Sequence, residues 1–98
     1  MEPECLHALI EGRVQGVGFR YFVYDNAQAL GLAGWVRNVG EQQVEVWAEG
    51  AKESLDHLLR LLWDGPSSAH VEDVRIDWEK PKGKYLTFQI ISSTWFST

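Results

Sequence analysis

The most restrictive feature of this sequence is the order in which its hydrophobic spacing changes. Residues 5–10 form a short apolar run typical of a buried strand, and apolar residues between Arg20 and Leu30 then recur every three or four positions. That second spacing is typical of a helix that buries one face. Residues 33–39 and 43–49 return to strand patterns, and in the latter Val44, Val46 and Ala48 alternate with Glu45, Trp47 and Glu49. The first half therefore predicts a strand, a helix and a β-hairpin.

The second half repeats the change of spacing. A leucine stripe predicts a second helix that ends at Pro66, because proline cannot continue the helical hydrogen bonding. Two alternating segments, 74–78 and 86–90, predict two further strands around a turn at 81–83. The stripe consists of Leu55, Leu58, Leu59 and Leu62, and we also expect Trp47, Trp63 and Trp78 to be packed.

This order, β-α-β-β-α-β with one further C-terminal strand, predicts an α+β fold of the ferredoxin-like type. We expect an antiparallel sheet that two helices cover on one face. The chain has 98 residues, which suits a single domain with one hydrophobic core.

Charge and cysteine content exclude several classes of function. The net charge of -5 disfavours binding to nucleic acid, because an acidic protein gains nothing from phosphate neutralisation. Cys5 is the only cysteine, so an internal disulfide is impossible and a reducing, cytoplasmic location is expected. The acidic N-terminal residues do not resemble a signal peptide, and no apolar stretch is long enough to span a membrane.

The segment from Gly12 to Arg20 is the strongest functional signal. It is a glycine-rich loop between a predicted strand and a predicted helix, where backbone N–H groups can surround an oxyanion at the positive end of the helix dipole. Arg20 adds a planar guanidinium that can hold two phosphoryl oxygens. The loop lacks the Gly-Lys-Ser/Thr of nucleotide-binding loops, the last glycine of the dinucleotide motif and any cysteine nucleophile.

Two segments, Gly12–Arg20 and the later Gly34-Trp35-Val36-Arg37-Asn38, together resemble the signatures of the acylphosphatase family. The resemblance covers roughly residues 5–91, and the region from Gly65 to Val74 is also similar. It implies hydrolysis of a small-molecule acyl phosphate, with Arg20 and Asn38 as the catalytic residues and Asn38 positioning the attacking water. It implies a phosphate cradle formed by Gln15, Gly16, Val17, Gly18 and Phe19.

The same resemblance implies a monomer that uses neither a metal nor a cofactor. It also implies that inorganic phosphate or sulfate inhibits the enzyme. The chemistry is consistent with so small a site, because a departing carboxylate, whose conjugate acid has a pKa of about 4, needs no general acid. Phosphoryl transfer passes through a loose transition state, which positioning and electrostatic stabilisation can accelerate.

Two features depart from the family pattern. Val39 and the 40–43 turn stand where the family more often has a polar residue and a later glycine, so the support of Asn38 can differ here. Residues 93–98 continue past the usual end of the family domain, so we expect one domain over 1–92 followed by a short C-terminal tail.

Three alternatives remain open from the sequence. The fold could serve as a non-catalytic module that senses anions or acyl phosphates, although Asn38 has a purpose only if something is hydrolysed. An RNA-binding sheet of similar topology would require a basic surface. Carbamoyl phosphate is a possible substrate, since acylphosphatase-like domains occur within hydrogenase-maturation carbamoyltransferases. The three histidines, His7, His57 and His70, are not at metal-ligand spacing, and we expect them to be structural or solvated.

Overall fold

The computed structural model describes residues 2–92, which form five strands and two helices. The predicted tail at 93–98 lies outside the described residues. The elements in chain order are β1 (Glu4–Arg13), α1 (Phe19–Ala29), β2 (Ala33–Val39), β3 (Gln43–Gly50), α2 (Lys52–Asp64), β4 (His70–Glu79) and β5 (Phe88–Ile90). No described helix has the length and hydropathy needed to cross a membrane.

The sheet has the strand order β4-β1-β3-β2-β5. α1 packs on β2 and β5, whereas α2 packs on β1 and β4. Alternate residues of the central strands supply the core beneath these helices, because successive side chains of a strand point to opposite faces. The fully buried side chains under the helices include Leu6, Ile10, Val36, Val44, Val46, Phe19, Val23, Leu55, Leu58 and Leu62. The ferredoxin-like order of elements is therefore confirmed.

One edge of the sheet departs from the expected antiparallel pairing. β5 pairs with β2 in parallel, with Gly34 opposite Phe88, so the sheet is mixed. The physical reason is the connection from β4 to β5. Residues 80–87, which we call the crossing segment, pass over the sheet to its opposite edge instead of turning back as a hairpin. Leu86, expected in the last strand, lies in this segment and is 95% exposed.

The crossing segment is anchored on the sheet face opposite the helices, which we call the helix-free face. The Glu49 carboxylate accepts hydrogen bonds from the backbone amides of Lys82, at 2.8 Å, and Gly83, at 3.2 Å, and from Trp47 Nε1, at 2.7 Å. Burial alone would raise the pKa of Glu49, but these hydrogen bonds and the Lys82 charge outweigh it and hold that pKa below its usual value. The carboxylate thus stays ionised as it fixes the segment.

Candidate active site

The glycine-rich loop leaves β1 after a bulge between Glu11 and Gly12 and enters α1 at Phe19. Gly16 and Gly18 have φ values of 72° and 79°, in the left-handed region that favours glycine. Gly18 is also the N-cap of α1, and no side chain caps this helix end. Within the described residues, the amides from Gly16 to Tyr21 donate no hydrogen bond to another protein group. These donors are therefore available to an anion at the positive end of the helix.

Contacts at both ends hold the loop in this shape. Phe19 is buried beneath it and packs near Gly65, where an added Cβ would lie 3.0 Å from the Phe19 ring. Ser68 Oγ donates a hydrogen bond to the Val17 carbonyl at 3.2 Å. Because these contacts fix the loop, its amide groups lose little conformational entropy when an anion binds. This favours binding.

The Gln15 side chain has a role that the sequence did not reveal. Its Nε2 donates towards three carbonyl oxygens of the β2–β3 hairpin, those of Val39 at 3.3 Å, Gly40 at 3.1 Å and Gln43 at 2.8 Å. The side chain therefore ties the glycine-rich loop to the hairpin that carries Asn38. The sequence contained no signal for these contacts, because the acceptors are backbone atoms far along the chain.

Arg20 and Asn38 approach this junction from different elements. Arg20 occupies the first turn of α1, is half-buried, and forms no ion pair with any described residue. Asn38 lies near the end of β2, in register with Val44, next to the carbonyl that Gln15 contacts. It shares the helix-covered face with Val36, two residues earlier.

The Asn38 carboxamide has a property that sets it apart. Its Oδ1 is buried without a hydrogen-bond partner, and no other buried side-chain polar atom of the described residues is in this condition. A buried oxygen without a partner costs roughly 1–3 kcal/mol. Such a group in a native structure requires an explanation, and a functional site is a common one. Asn38 is therefore held in place at the expense of stability.

Neighbouring residues do not join the site. Arg37 points to the helix-free face, where its Nε and a terminal nitrogen each lie 2.7 Å from Glu45 Oε1. Cys5 is fully buried, and desolvation, followed by the repulsion of Glu49, raises its pKa to about 12. Its thiol therefore stays protonated at neutral pH and is a poor nucleophile.

Together, the fold and the loop define a class: small α+β domains with a glycine-rich loop at the uncapped start of their first helix. Comparison with known proteins specifies the family. The family model described as Acylphosphatase matches residues 6–90. The chain belongs to the acylphosphatase family.

Individual relatives agree with this assignment. An acylphosphatase of Trichormus variabilis is 46% identical over 78 residues, which cover 80% of this chain and 77% of that protein. The crystal structure of the acylphosphatase from Bacillus subtilis superposes with a TM-score of 0.86 at 34% identity, covering 90% of this chain and 98% of that one. Full-length HypF in its phosphate- and nucleotide-bound form gives a TM-score of 0.86 at 29% identity, with 94% of this chain matching 12% of HypF.

Proposed function

We propose that this protein hydrolyses the carboxyl-phosphate bond of a small acyl phosphate. Water attacks phosphorus directly, the bond between phosphorus and the acyl oxygen breaks, and carboxylate and inorganic phosphate are released. The unpartnered Oδ1 of Asn38 is the observation that carries this proposal, because a buried acceptor beside an anion-binding loop has a purpose if it orients a water molecule.

The phosphoryl group is held by the amides of the glycine-rich loop and by Arg20. The guanidinium is permanently charged and can donate two parallel hydrogen bonds to two oxygens. In the loose transition state, negative charge spreads over the equatorial oxygens, and fixed donors at this point stabilise it. Asn38 accepts a hydrogen bond from the water on the other side of phosphorus, in line with the departing carboxylate.

The leaving group explains why this small set of residues is sufficient. A carboxylate departs without protonation, since its conjugate acid has a pKa of about 4. The proton lost by the attacking water passes to the phosphate, so no general base is required of the protein. The reaction on this account needs no metal, because Arg20 and the amides supply the positive potential.

We further propose that the protein acts in the cytoplasm as a monomer. A free, fully buried Cys5 suits a reducing compartment. The hydrophobic core of the described residues lies between the helices and the sheet.

A comparison of two substrates in excess chelator tests the proposal. We expect the purified protein to release phosphate from benzoyl phosphate with EDTA present, at a rate that added magnesium does not raise. A phosphate monoester such as p-nitrophenyl phosphate is expected to react far more slowly, because its leaving group is much more basic. Loss of turnover in chelator would contradict the metal-free mechanism, and anion binding without turnover would favour the sensing module.

Inorganic phosphate and sulfate are expected to inhibit competitively. Both are tetrahedral anions that fit the uncapped end of α1 and the fork of Arg20. The measurement is initial rate against benzoyl phosphate concentration at several anion concentrations, at constant ionic strength. Chloride at matched ionic strength is the control. Non-competitive inhibition by phosphate would mean that the anion binds outside the glycine-rich loop.

A further inference from the structure

A second group of polar side chains lies on the helix-free face, away from the candidate active site. His7 on β1 is directly opposite Asp77 on β4, and Glu79 follows two residues later on the same face. A ring nitrogen of His7 and one carboxylate oxygen each from Asp77 and Glu79 all lie within 4.8 Å of one another. His7 Nδ1 lies 3.9 Å from Glu79 Oε2. Two adjacent strands thus bring together three side chains that commonly bind metals.

The orientation of the imidazole is set by a fourth residue. His7 Nε2 donates a hydrogen bond of 2.6 Å to Glu45 Oε2, whose other oxygen is paired with Arg37. The ring also contacts Trp47, with centroids 5.3 Å apart. With the proton on Nε2, the lone pair of Nδ1 faces Glu79. A carboxylate that fixes the tautomer through the second ring nitrogen is the usual support of a metal-binding histidine.

The charges around the imidazole also favour a cation. Arg37 pairs with Glu45, and Arg75 pairs with Asp73 at 3.3 Å. Within the part of the chain that the structure describes, neither Asp77 nor Glu79 forms an ion pair with a lysine or arginine. Two exposed carboxylates without a cationic partner thus lie beside the His7 imidazole, an arrangement that favours a bound cation.

We propose that His7, Asp77 and Glu79 bind a first-row divalent cation, with Zn²⁺ as the representative ion. One nitrogen and two carboxylate oxygens suit such a metal, whereas Mg²⁺ prefers oxygen ligands and dehydrates reluctantly. The three ligand atoms must approach one another to bind zinc at bond lengths of roughly 2.0–2.2 Å, and the two carboxylates that would move are exposed. Water fills the remaining position.

This site is separate from the hydrolytic one. His7 precedes Arg13, where the glycine-rich loop begins, by roughly 20 Å of extended strand, and its side chain points to the face opposite the helices. The metal therefore has no part in hydrolysis. It joins the edge strand β4 to β1, so its binding stabilises the folded sheet.

Zinc titration of the untagged, full-length protein after chelator treatment tests this proposal. We expect one equivalent of Zn²⁺ in isothermal titration calorimetry and a higher thermal unfolding midpoint with zinc, with no comparable effect of Mg²⁺. His7→Gln is expected to abolish saturable binding, and Glu79→Gln to weaken it. Glu45→Gln, which removes the charged support of the imidazole and also the ion pair with Arg37, is expected to weaken binding about 10- to 100-fold.

His57→Gln is the matched control, because His57 is an exposed histidine on α2. It is expected to bind zinc like the parent protein. All variants are expected to hydrolyse benzoyl phosphate at the parent rate, which also verifies that they fold. Absence of saturable zinc binding, or binding that survives in both His7→Gln and Glu79→Gln, would overturn the proposal.

Discussion

Replacing Arg20 with glutamine is expected to lower the turnover of benzoyl phosphate by about 1,000-fold or more, the range seen when an arginine that stabilises phosphoryl transfer is lost. This corresponds to about 4 kcal/mol of transition-state stabilisation. The physical reason is that glutamine removes the full positive charge at the first turn of α1, where Arg20 forms no ion pair with any described residue. Phosphate inhibition is expected to weaken in parallel, because Arg20 holds the anion in the ground state as well.

The Arg20→Lys variant separates the effect of the positive charge on the rate from the effect of the planar guanidinium geometry. Lysine retains a positive charge but offers a point charge in place of the planar fork, so a large loss of rate is still expected, smaller than in Arg20→Gln. Steady-state rates and phosphate inhibition constants of both variants provide the measurement.

Arg13→Gln is the matched control, since it removes the same charge from an exposed residue at the other end of the glycine-rich loop. An exposed charge contributes ~1 kcal/mol or less, so no more than about a fivefold change is expected. Equal losses in Arg13→Gln and Arg20→Gln would mean that general positive potential, and not the fork of Arg20, supports catalysis.

The local part of the structure was readable from the sequence. The spacing of apolar residues identified both helices and the five strands, because this spacing reflects which residues share one face of an element. The glycine-rich loop was readable for a similar reason, since closely spaced glycines before a helix permit the left-handed conformations observed at Gly16 and Gly18.

The spacing of apolar residues does not show whether the face they share is covered by another part of the chain. The predictions that were wrong concern such faces. Trp63 and Trp78 were expected to be packed, yet they are 49% and 42% exposed. Trp78 lies on an edge strand, and Lys52 Nζ lies over its ring, 4.6 Å from the centroid. Conversely, Glu49 is buried because the crossing segment, more than thirty residues further along the chain, covers it. Such contacts depend on the path of a segment that is distant in the chain. The spacing of residues within one strand carries no information about that path.

In the candidate site, too, local features were predictable from the sequence and long-range contacts were not. The sequence singled out Gln15 as part of the phosphate cradle through its backbone, whereas the structure also shows its side chain bound to three carbonyls of the β2–β3 hairpin. These acceptors belong to the 39–43 region, where the chain departs from the family pattern. Because they are backbone oxygens, Gln15 can hold the hairpin whatever side chains the turn carries. Gln15 thus supports the strand that carries Asn38 independently of the side chains in this turn.

Replacing Asn38 with alanine is expected to lower turnover by about 100-fold or more, the range seen when a positioned polar group is removed from an active site. The amides of the glycine-rich loop and Arg20 remain, so the anion cradle is unaffected. The free energy of unfolding of the variant is expected to equal or exceed that of the parent, because the deleted oxygen makes no hydrogen bond and its burial without a partner costs roughly 1–3 kcal/mol. Asn26→Ala is the matched control: the Asn26 side chain donates a hydrogen bond to the Phe22 carbonyl within α1, and its loss is expected to leave the rate unchanged.

The claim that Asn38 positions the water is tested most directly by measuring two constants on the Asn38→Ala protein, its kcat for benzoyl phosphate and its inhibition constant for inorganic phosphate. We expect kcat to fall by about 100-fold or more while the inhibition constant stays within about threefold of the parent, because binding and water placement belong to different residues. A near-parent kcat would contradict the account, since another group would then have to orient the water. Equal losses in both constants would also contradict it, because Asn38 would then be part of the anion cradle itself.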